Sequence, residues 1–409
     1  MKALVLAGGF PQIALLTELK RRHIETILAD YYSEPVAKPY ADKFYQVSTL
    51  DVEAITAVAQ REKVDFLITA CTDQALMTVA HVSEMLGLPC YIDNQTARNV
   101  TNKEYMKNVF IKNHIPTARY IITDKVISEK PENMVYPLIV KPVDCNSSKG
   151  VKKVLNKDEL QVALTDAIRF SRTGTAIVEE FIEGTELSVD VYVEDGNAHV
   201  LSVSNSDKIA EADKFVIFRS RYPAAGMNDE LKNRIAETAQ KIADSFGLKN
   251  SPMLIQMLTD GKKVSVLEFS ARTGGGVKYL LIKKVSGFDV ISAVVDLTLG
   301  GKPHVSLCQP ENKYISNEFL YCKRGVFDQL DGFEELKAEQ VISDYYLFKW
   351  RGASFDKVEN SGDRIAGFTI QADTPEEMVK KHQTAAGRIR VLNPDGCDIM
   401  RHDLLTDWT

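Results

Sequence analysis

Glu268, Ser270 and Arg272 stand two residues apart in the run V-S-V-L-E-F-S-A-R-T-G-G-G-V-K-Y-L, residues 264–280. On an extended backbone, residues i, i+2 and i+4 project from one face, so a carboxylate, a hydroxyl and a guanidinium would converge there. The first two are hard oxygen donors of the kind Mg²⁺ takes, and an arginine clamps a phosphoryl group with two parallel N–H bonds. Gly274, Gly275 and Gly276 follow, where backbone N–H groups can approach an anion at a helix start. The chemistry this set suits is the handling of a metal-bound phosphate. Taken alone, the same alternation also describes the wet face of a half-buried strand.

Residues upstream add to the set. Lys103 lies in Thr101-Asn102-Lys103-Glu104, which reads as a capping box with Thr101 at the N-cap. That places the lysine in the first turn of a helix running toward Asn113, where a nearby anion would offset its opposition to the helix dipole. Lys141 lies near the end of the buried strand Y-P-L-I-V-K-P, just before a loop of small residues containing Ser147, Ser148, Lys149 and Gly150. Such a loop folds its N–H groups over phosphates, or is an ordinary surface hairpin. The segment E-E-F-I-E-G-T-E, residues 179–186, reads as a short linker between two lobes. A linker of that kind exposes the carbonyl and N–H that an adenine edge requires, and Glu186 would be placed to accept a ribose hydroxyl. Between these anchors Lys208, Lys214, Arg219 and Arg221 form either a basic lining for an anionic group or a solvated basic face.

The elements that must position these side chains follow from patterning. The chain has 409 residues, 44% apolar and 26% charged, with a formal net charge of -6, so nothing advertises a nucleic acid or a membrane surface as partner. Six scattered cysteines without a C-x-x-C pair read as reduced residues of a cytoplasmic protein. No H-x-x-x-H supports zinc, no apolar run reaches the roughly 18 to 20 residues of a membrane span, and the opening K-A-L-V-L-A-G-G is too short for a signal-peptide core. The first 95 or so residues alternate strand and helix, with strands at Ala3 to Ala7, Thr26 to Ala29, Phe66 to Thr69 and near Pro89 to Ile92, which implies a parallel sheet. The Gly8-Gly9 turn with Asp30 ending the second strand invites a dinucleotide reading, but G-x-G-x-x-G is absent, which favours a Rossmann-like domain that binds a substrate at its strand ends or nothing. Thr72-Asp73-Gln74 follows a strand end, where open α/β sheets place ligands and where helices also take their caps. Helices are expected over Lys157 to Phe170, Asp229 to Phe246 and Thr374 to Val391, the last with Thr374 at the N-cap and Pro375 at N1.

Lys103, Lys141 with its loop, the 179–186 hinge and the later Gln256 and E-F-S-A-R strands, in this order and spacing, resemble the ATP-grasp superfamily, in motif detail from about Thr101 to Gly300. The resemblance implies an α/β ATP-grasp fold with three domains: a Rossmann-like parallel-sheet domain over residues 1–100, an ATP-grasp domain over 101–301 and a C-terminal closing domain over 302–409. Within the second, the ATP lobe would span about 115–185 and the metal-binding, catalytic lobe about 186–301. It implies Lys103 and Lys141 on the ATP phosphates, with Ser147, Ser148, Lys149 and Gly150 covering them. Glu179, Glu180, Phe181 and Ile182 would surround the adenine and Glu186 would hold the ribose. Gln256, Glu268 and Ser270 match the Mg²⁺ (or Mn²⁺) ligands. Arg272 and Arg219, with Lys141, would serve the transferred phosphoryl group. Gln256 and Ser270 depart from the commoner acid and Asn, leaving Glu268 as the only anionic ligand. The activity implied is an ATP-dependent carboxylate–amine ligase of the amino acid ligase type, joining an amino acid or similar small acid to an amine through an acyl phosphate, and such enzymes are commonly homodimers. A bicarbonate-using enzyme of the carbamoyl-phosphate-synthetase or carboxylase kind, or a nucleotide-binding module without turnover, is the alternative.

Overall fold

The computed structural model describes residues 1–145, 150–209, 215–310, 312–405 and 408. Its first sheet is parallel, with strands in the order Lys43–Gln46, Glu25–Asp30, Lys2–Leu6, Phe66–Ile68. The two inner strands are buried on both faces, Ala3 to Leu6 and Ile27 to Ala29 being fully covered, as near-continuous apolar runs require in a sheet flanked by helices. Those helices are Phe10–Arg21, Val52–Glu62 and Asp73–Leu86. The edge strand Lys43–Gln46 was not signalled, because K-F-Y-Q is short and mostly polar.

Two local expectations are corrected here, the strand at residues 89–92 and the Thr101 cap. Residues 89–92 form no strand; the chain there leads into the helix Asn94–Thr101, capped by Asp93. That helix absorbs Thr101, whose hydroxyl donates to the Ala97 carbonyl at 2.9 Å, so the next helix, Lys103–Lys112, is capped by Asn102 accepting from the Tyr105 N–H. Lys103 still opens the first turn. The Asp30 carboxylate is engaged by the backbone, accepting from Gly8 N–H at 2.6 Å and Tyr32 N–H at 2.7 Å, which is not the free ribose acceptor of a dinucleotide site.

Two large antiparallel sheets build most of the rest, beside two of two strands each. The smaller has the order Tyr120–Thr123, Ala176–Glu180, Leu138–Pro142, Lys152–Val154. It is covered by the helix Lys157–Phe170, which buries Leu160, Ala163, Leu164 and Ala167 at helical spacing against Leu138, Val140 and Val178. The larger has eight strands, in the order Val264–Ser270, Ser251–Thr259, Thr185–Glu194, Asn197–Lys208, Ile217–Tyr222, Tyr314–Leu320, Ala366–Ala372, Asp344–Leu347. Its hydrogen bonding therefore runs unbroken into strands that lie beyond Gly301 in sequence. The helix Asp229–Ser245, capped by Asn228, lays Leu231, Ile235, Ala239 and Ile242 against Val189, Val191 and Ile255 of that sheet. Thr374 caps the helix Pro375–Arg388 as expected, but the helix stops short of Val391 because Arg390–Leu392 pairs with Gln329–Asp331. The molecule is thus mixed α/β, with a parallel N-terminal sheet followed by antiparallel ones. Among the described residues no helix is long and apolar enough to cross a membrane.

Candidate active site

Two cavities share a wall. The smaller, about 380 Å³, lies between the four-stranded sheet and the first strands of the eight-stranded one and is lined by Lys103, Lys141, Glu179, Ile182 and Glu186 among others. The larger, about 620 Å³, reaches from the strand ends of the parallel sheet to the C-terminal strands and is lined by Asp73, Arg272, Lys278 and Arg364 among others. Cys145, Ser206, Gln256 and Glu268 face both, so the two form one continuous site.

The shared wall is made by a bulge. Gln256 pairs with Glu268, but the next partner of Met257 is Val266, leaving Leu267 as an extra residue. A bulge re-aims side chains, and here Leu267 and Glu268 both face the smaller cavity although they are neighbours on one strand. The Gln256 amide donates to Glu186 at 3.2 Å, and Glu268 lies 3.3 Å from Lys103 Nζ. Burial works against the Glu268 charge, yet Lys103, Lys141 and Arg272 hold its carboxyl below the ordinary carboxylate range. An ionised carboxylate and a neighbouring amide side chain that line the same cavity fit Mg²⁺, which keeps waters and takes few protein ligands. Ser270 is buried opposite Leu254 at the strand's end and lines neither cavity.

The lysines are held from behind. Lys141 Nζ lies 2.8 Å from Glu179 Oε1, and Lys107 Nζ lies 3.3 Å from the same oxygen. Burial acts against the Lys141 charge, but Glu179 and Glu268 raise its value above the ordinary lysine range. Lys103 donates to the Cys145 carbonyl at 2.7 Å, which ties the helix to the chain just beyond the strand Leu138–Pro142. Ser147, Ser148 and Lys149 lie outside the described residues. Gly150 is described, with a φ of 72° against Pro142, a left-handed conformation that favours glycine.

At the hinge, Glu180 N–H donates to the Arg119 carbonyl at 3.0 Å and Phe181 N–H to the Pro137 carbonyl at 3.2 Å, while Lys153 sits 3.7 Å above the Phe181 ring. Gly184 is required by space: a methyl there would lie 2.7 Å from the Thr259 carbonyl oxygen. Glu186 is not free, since Lys208 pairs with one of its oxygens and Gln256 with the other.

In the larger cavity Arg272 donates through Nε to Asp73 Oδ1 at 2.8 Å and through Nη2 to Asp73 Oδ2. Lys278 donates to the Ser204 hydroxyl and lies 3.8 Å from the buried Asp190 carboxylate. Arg364 donates to the Tyr321 hydroxyl and the Ile217 carbonyl, each at 3.1 Å, and stacks 3.8 Å from the Phe319 ring centre. Among the described residues it has no carboxylate partner.

Arg219 is placed elsewhere. It lies buried against Glu318 at 2.8 Å and His382 at 2.8 Å and lines neither cavity. The cause is strand alternation: its neighbour Ser220 and the paired Asn317 face the larger cavity, so Arg219 and its partner Glu318 face the other side of the sheet. Two residues that line the larger cavity, Lys278 and Arg364, and one behind the smaller, Lys107, escaped the sequence reading. Lys107 carried a usable signal, being one helical turn beyond Lys103, and Lys278 stood just past the glycine run; nothing in G-D-R-I-A-G-F marks Arg364.

By sequence, residues 134–279 match the ATP-grasp domain and residues 318–392 match the L-amino acid ligase C-terminal domain 2. The formate-dependent phosphoribosylglycinamide formyltransferase of Mannheimia succiniciproducens is 24% identical over 402 residues, covering 95% of this chain and 96% of that protein. Among solved structures, the L-amino acid ligase from Bacillus licheniformis aligns with a TM-score of 0.79 at 20% identity, over 96% of this chain and 98% of that one. The N5-carboxyaminoimidazole ribonucleotide synthetase from Thermotoga maritima aligns with a TM-score of 0.72 at 16% identity, over 96% of this chain and 99% of that one. At these identities the structural likeness is one of fold.

Proposed function

We propose, from the premise that this chain belongs to the ATP-grasp superfamily of enzymes, that it activates a small carboxylate with ATP as an acyl phosphate and passes the acyl group to an amine. The observation that carries this reading is the wall shared by the two cavities, where Gln256 and Glu268 stand between a compartment edged by Lys103 and Lys141 and one edged by Arg272 and Arg364. A nucleotide in the smaller compartment would present its terminal phosphate at that wall to a carboxylate in the larger.

Each residue then has a task. Lys103 and Lys141 neutralise the phosphates, and Ile182 and its neighbours bound the base. Glu268 and Gln256 would hold Mg²⁺, which when bound screens the charge on the transferred phosphoryl group. The acid's oxygen attacks the γ-phosphorus and ADP leaves; the amine nitrogen then attacks the acyl carbon, the C–O bond breaks, and phosphate leaves with that oxygen. Arg272, oriented by Asp73 and the Thr273 carbonyl, would meet with its remaining N–H groups the oxygens that carry charge in both steps. Arg364, rigidly held and without a carboxylate partner among the described residues, supports a substrate that carries an anionic group of its own, a carboxylate or a phosphate.

The test is ADP release across a panel of acids, including formate, bicarbonate and amino acids, each with and without amines that bear an anionic group. Release that needs an organic acid and rises with an anionic amine supports the reading. Release with bicarbonate alone would replace it with a carboxylating enzyme, and amine-independent release with every acid would remove the amine from the scheme.

A further inference from the structure

Lys107 is 1% exposed, lines neither cavity, and has no task in the scheme above. It lies one turn beyond Lys103 on the helix Lys103–Lys112, so both lysines point to the same side. Its ammonium donates to the Thr117 hydroxyl at 2.7 Å, and that hydroxyl donates to the Val266 carbonyl at 2.7 Å, on the strand that carries Glu268. Its third neighbour is Glu179 Oε1, the same oxygen that Lys141 approaches from the cavity side. One buried carboxylate oxygen is thus divided between a lysine that faces the nucleotide compartment and one that does not.

We infer that Lys107 is a positioning residue for Lys141: by taking a share of the Glu179 charge, it leaves Lys141 available to a triphosphate. This rests on the nucleotide reading of the smaller cavity. With Lys107 charged, Glu179 is neutralised from two sides, and the Lys141 ammonium retains net attraction for an incoming anion. With Lys107 uncharged, Glu179 and Lys141 become a private buried pair, which interacts strongly where water is scarce, and the phosphates must compete for the lysine. The charged or titratable groups facing Lys107 are Glu179 from the strand Ala176–Glu180, Lys141 from Leu138–Pro142, Glu268 from Val264–Ser270, and Tyr120, whose ring centre is 5.9 Å away on Tyr120–Thr123. Burial pulls Lys107 down to about 8, against the attraction of Glu179 and with the repulsion of Lys141. The charge of Lys107 is therefore lost in mildly alkaline solution, while Lys141 keeps its own.

The experiment is calorimetric binding of Mg-ATP to the full chain between about pH 7 and 9.5, for wild type, Lys107→Arg and Lys107→Met. Wild-type affinity should hold to about pH 8 and then fall, by about tenfold at the alkaline end, as Lys107 loses its proton. Lys107→Arg, permanently charged, should bind as wild type at neutral pH and stay level. Lys107→Met should bind about tenfold more weakly already at neutral pH and also stay level, with calorimetric melting confirming that it folds. If Lys107→Met does not fold, the comparison of wild type with Lys107→Arg decides. A fall of the same size in Lys107→Arg as in wild type, or unaltered neutral-pH affinity in a folded Lys107→Met, overturns the assignment. Wild type that binds no ATP at any pH overturns the nucleotide reading and this inference with it, an outcome distinct from the other two.

Discussion

Arg272 and Asp73 are 199 residues apart in sequence and meet in a two-armed ion pair, Nε to Oδ1 at 2.8 Å, that joins the first helix turn after the strand Phe66–Ile68 to the strand carrying Glu268. The pair does two things at once: it neutralises a buried guanidinium and fixes the plane in which its remaining N–H groups point. Arg272→Ala should lower turnover by about a thousandfold or more, the scale of lost transition-state charge stabilisation, with ATP affinity within a few fold. Asp73→Asn, which keeps shape but loses the anchor's charge, should cost about ten- to a hundredfold in turnover. ADP-release kinetics beside nucleotide-binding calorimetry separate the two effects, and unchanged turnover in Arg272→Ala would remove Arg272 from the chemistry.

Gln256 stands opposite Glu268 and beside Glu186. Gln256→Glu would bring a third carboxylate to that spot, so the metal-free protein should lose about 1 kcal/mol of stability through like-charge repulsion. Millimolar Mg²⁺ should restore it. Thermal melts with and without Mg²⁺ check both halves; a variant whose melting ignores Mg²⁺ would argue that the cation binds elsewhere.

Asp190 offers a pH signature. Burial raises its carboxyl to about 6, against the pull of Lys278. A raised carboxyl binds its proton more tightly in the folded chain than in the unfolded one, so its contribution to stability is present in acid and lost as pH rises from the ordinary carboxylate value through about 6. Asp190→Asn carries no titrating group, so across that window the variant should gain on wild type by about 2 to 3 kcal/mol and then run parallel to it. Urea denaturation at about pH 4 and about pH 7 measures this, and a difference that does not move with pH would contradict a buried, raised Asp190.

Gly184 sits against the backbone of Thr259, the last residue of the strand Ser251–Thr259. Gly184→Ala should destabilise the chain by about 1 to 3 kcal/mol and widen the turn that lines the smaller cavity, the one proposed to hold the nucleotide. Melting temperature and ATP affinity should fall together; normal values of both would show that the two strands have room to part.

What was legible in the sequence divides by the range of the forces involved. Lys103, Lys141 and Glu268 line one cavity, as local patterns that set their direction led one to expect: a helix start, a strand end and a two-residue alternation. The cap of Lys103's helix was misassigned to Thr101 because T-N-K-E satisfies two overlapping patterns, and only the preceding helix Asn94–Thr101 decides between them. Arg219 was misplaced because alternation says that neighbouring side chains face opposite sides without saying which side meets a cavity. That was decided by the partner strand Tyr314–Leu320, about a hundred residues later, which offers Glu318 to one face and Asn317 to the other. Ser270 shares Glu268's alternation, but lies at the strand's end opposite Leu254, where the sheet closes over it. Asp73 was marked by its strand end, but its pairing with Arg272, like the place of Arg364, depends on contacts that no local window contains.

The central claim is that an oxygen of the acid passes through phosphate. The direct measurement takes an acid that supports ADP release, labels its carboxylate with heavy oxygen, and reads the released phosphate by mass spectrometry. The account predicts one labelled oxygen in each phosphate, because the acyl phosphate forms through the acid's own oxygen and breaks at the C–O bond. Phosphate without label, at the same rate of ADP release, would mean that water rather than the acid attacks the γ-phosphorus, and would contradict it.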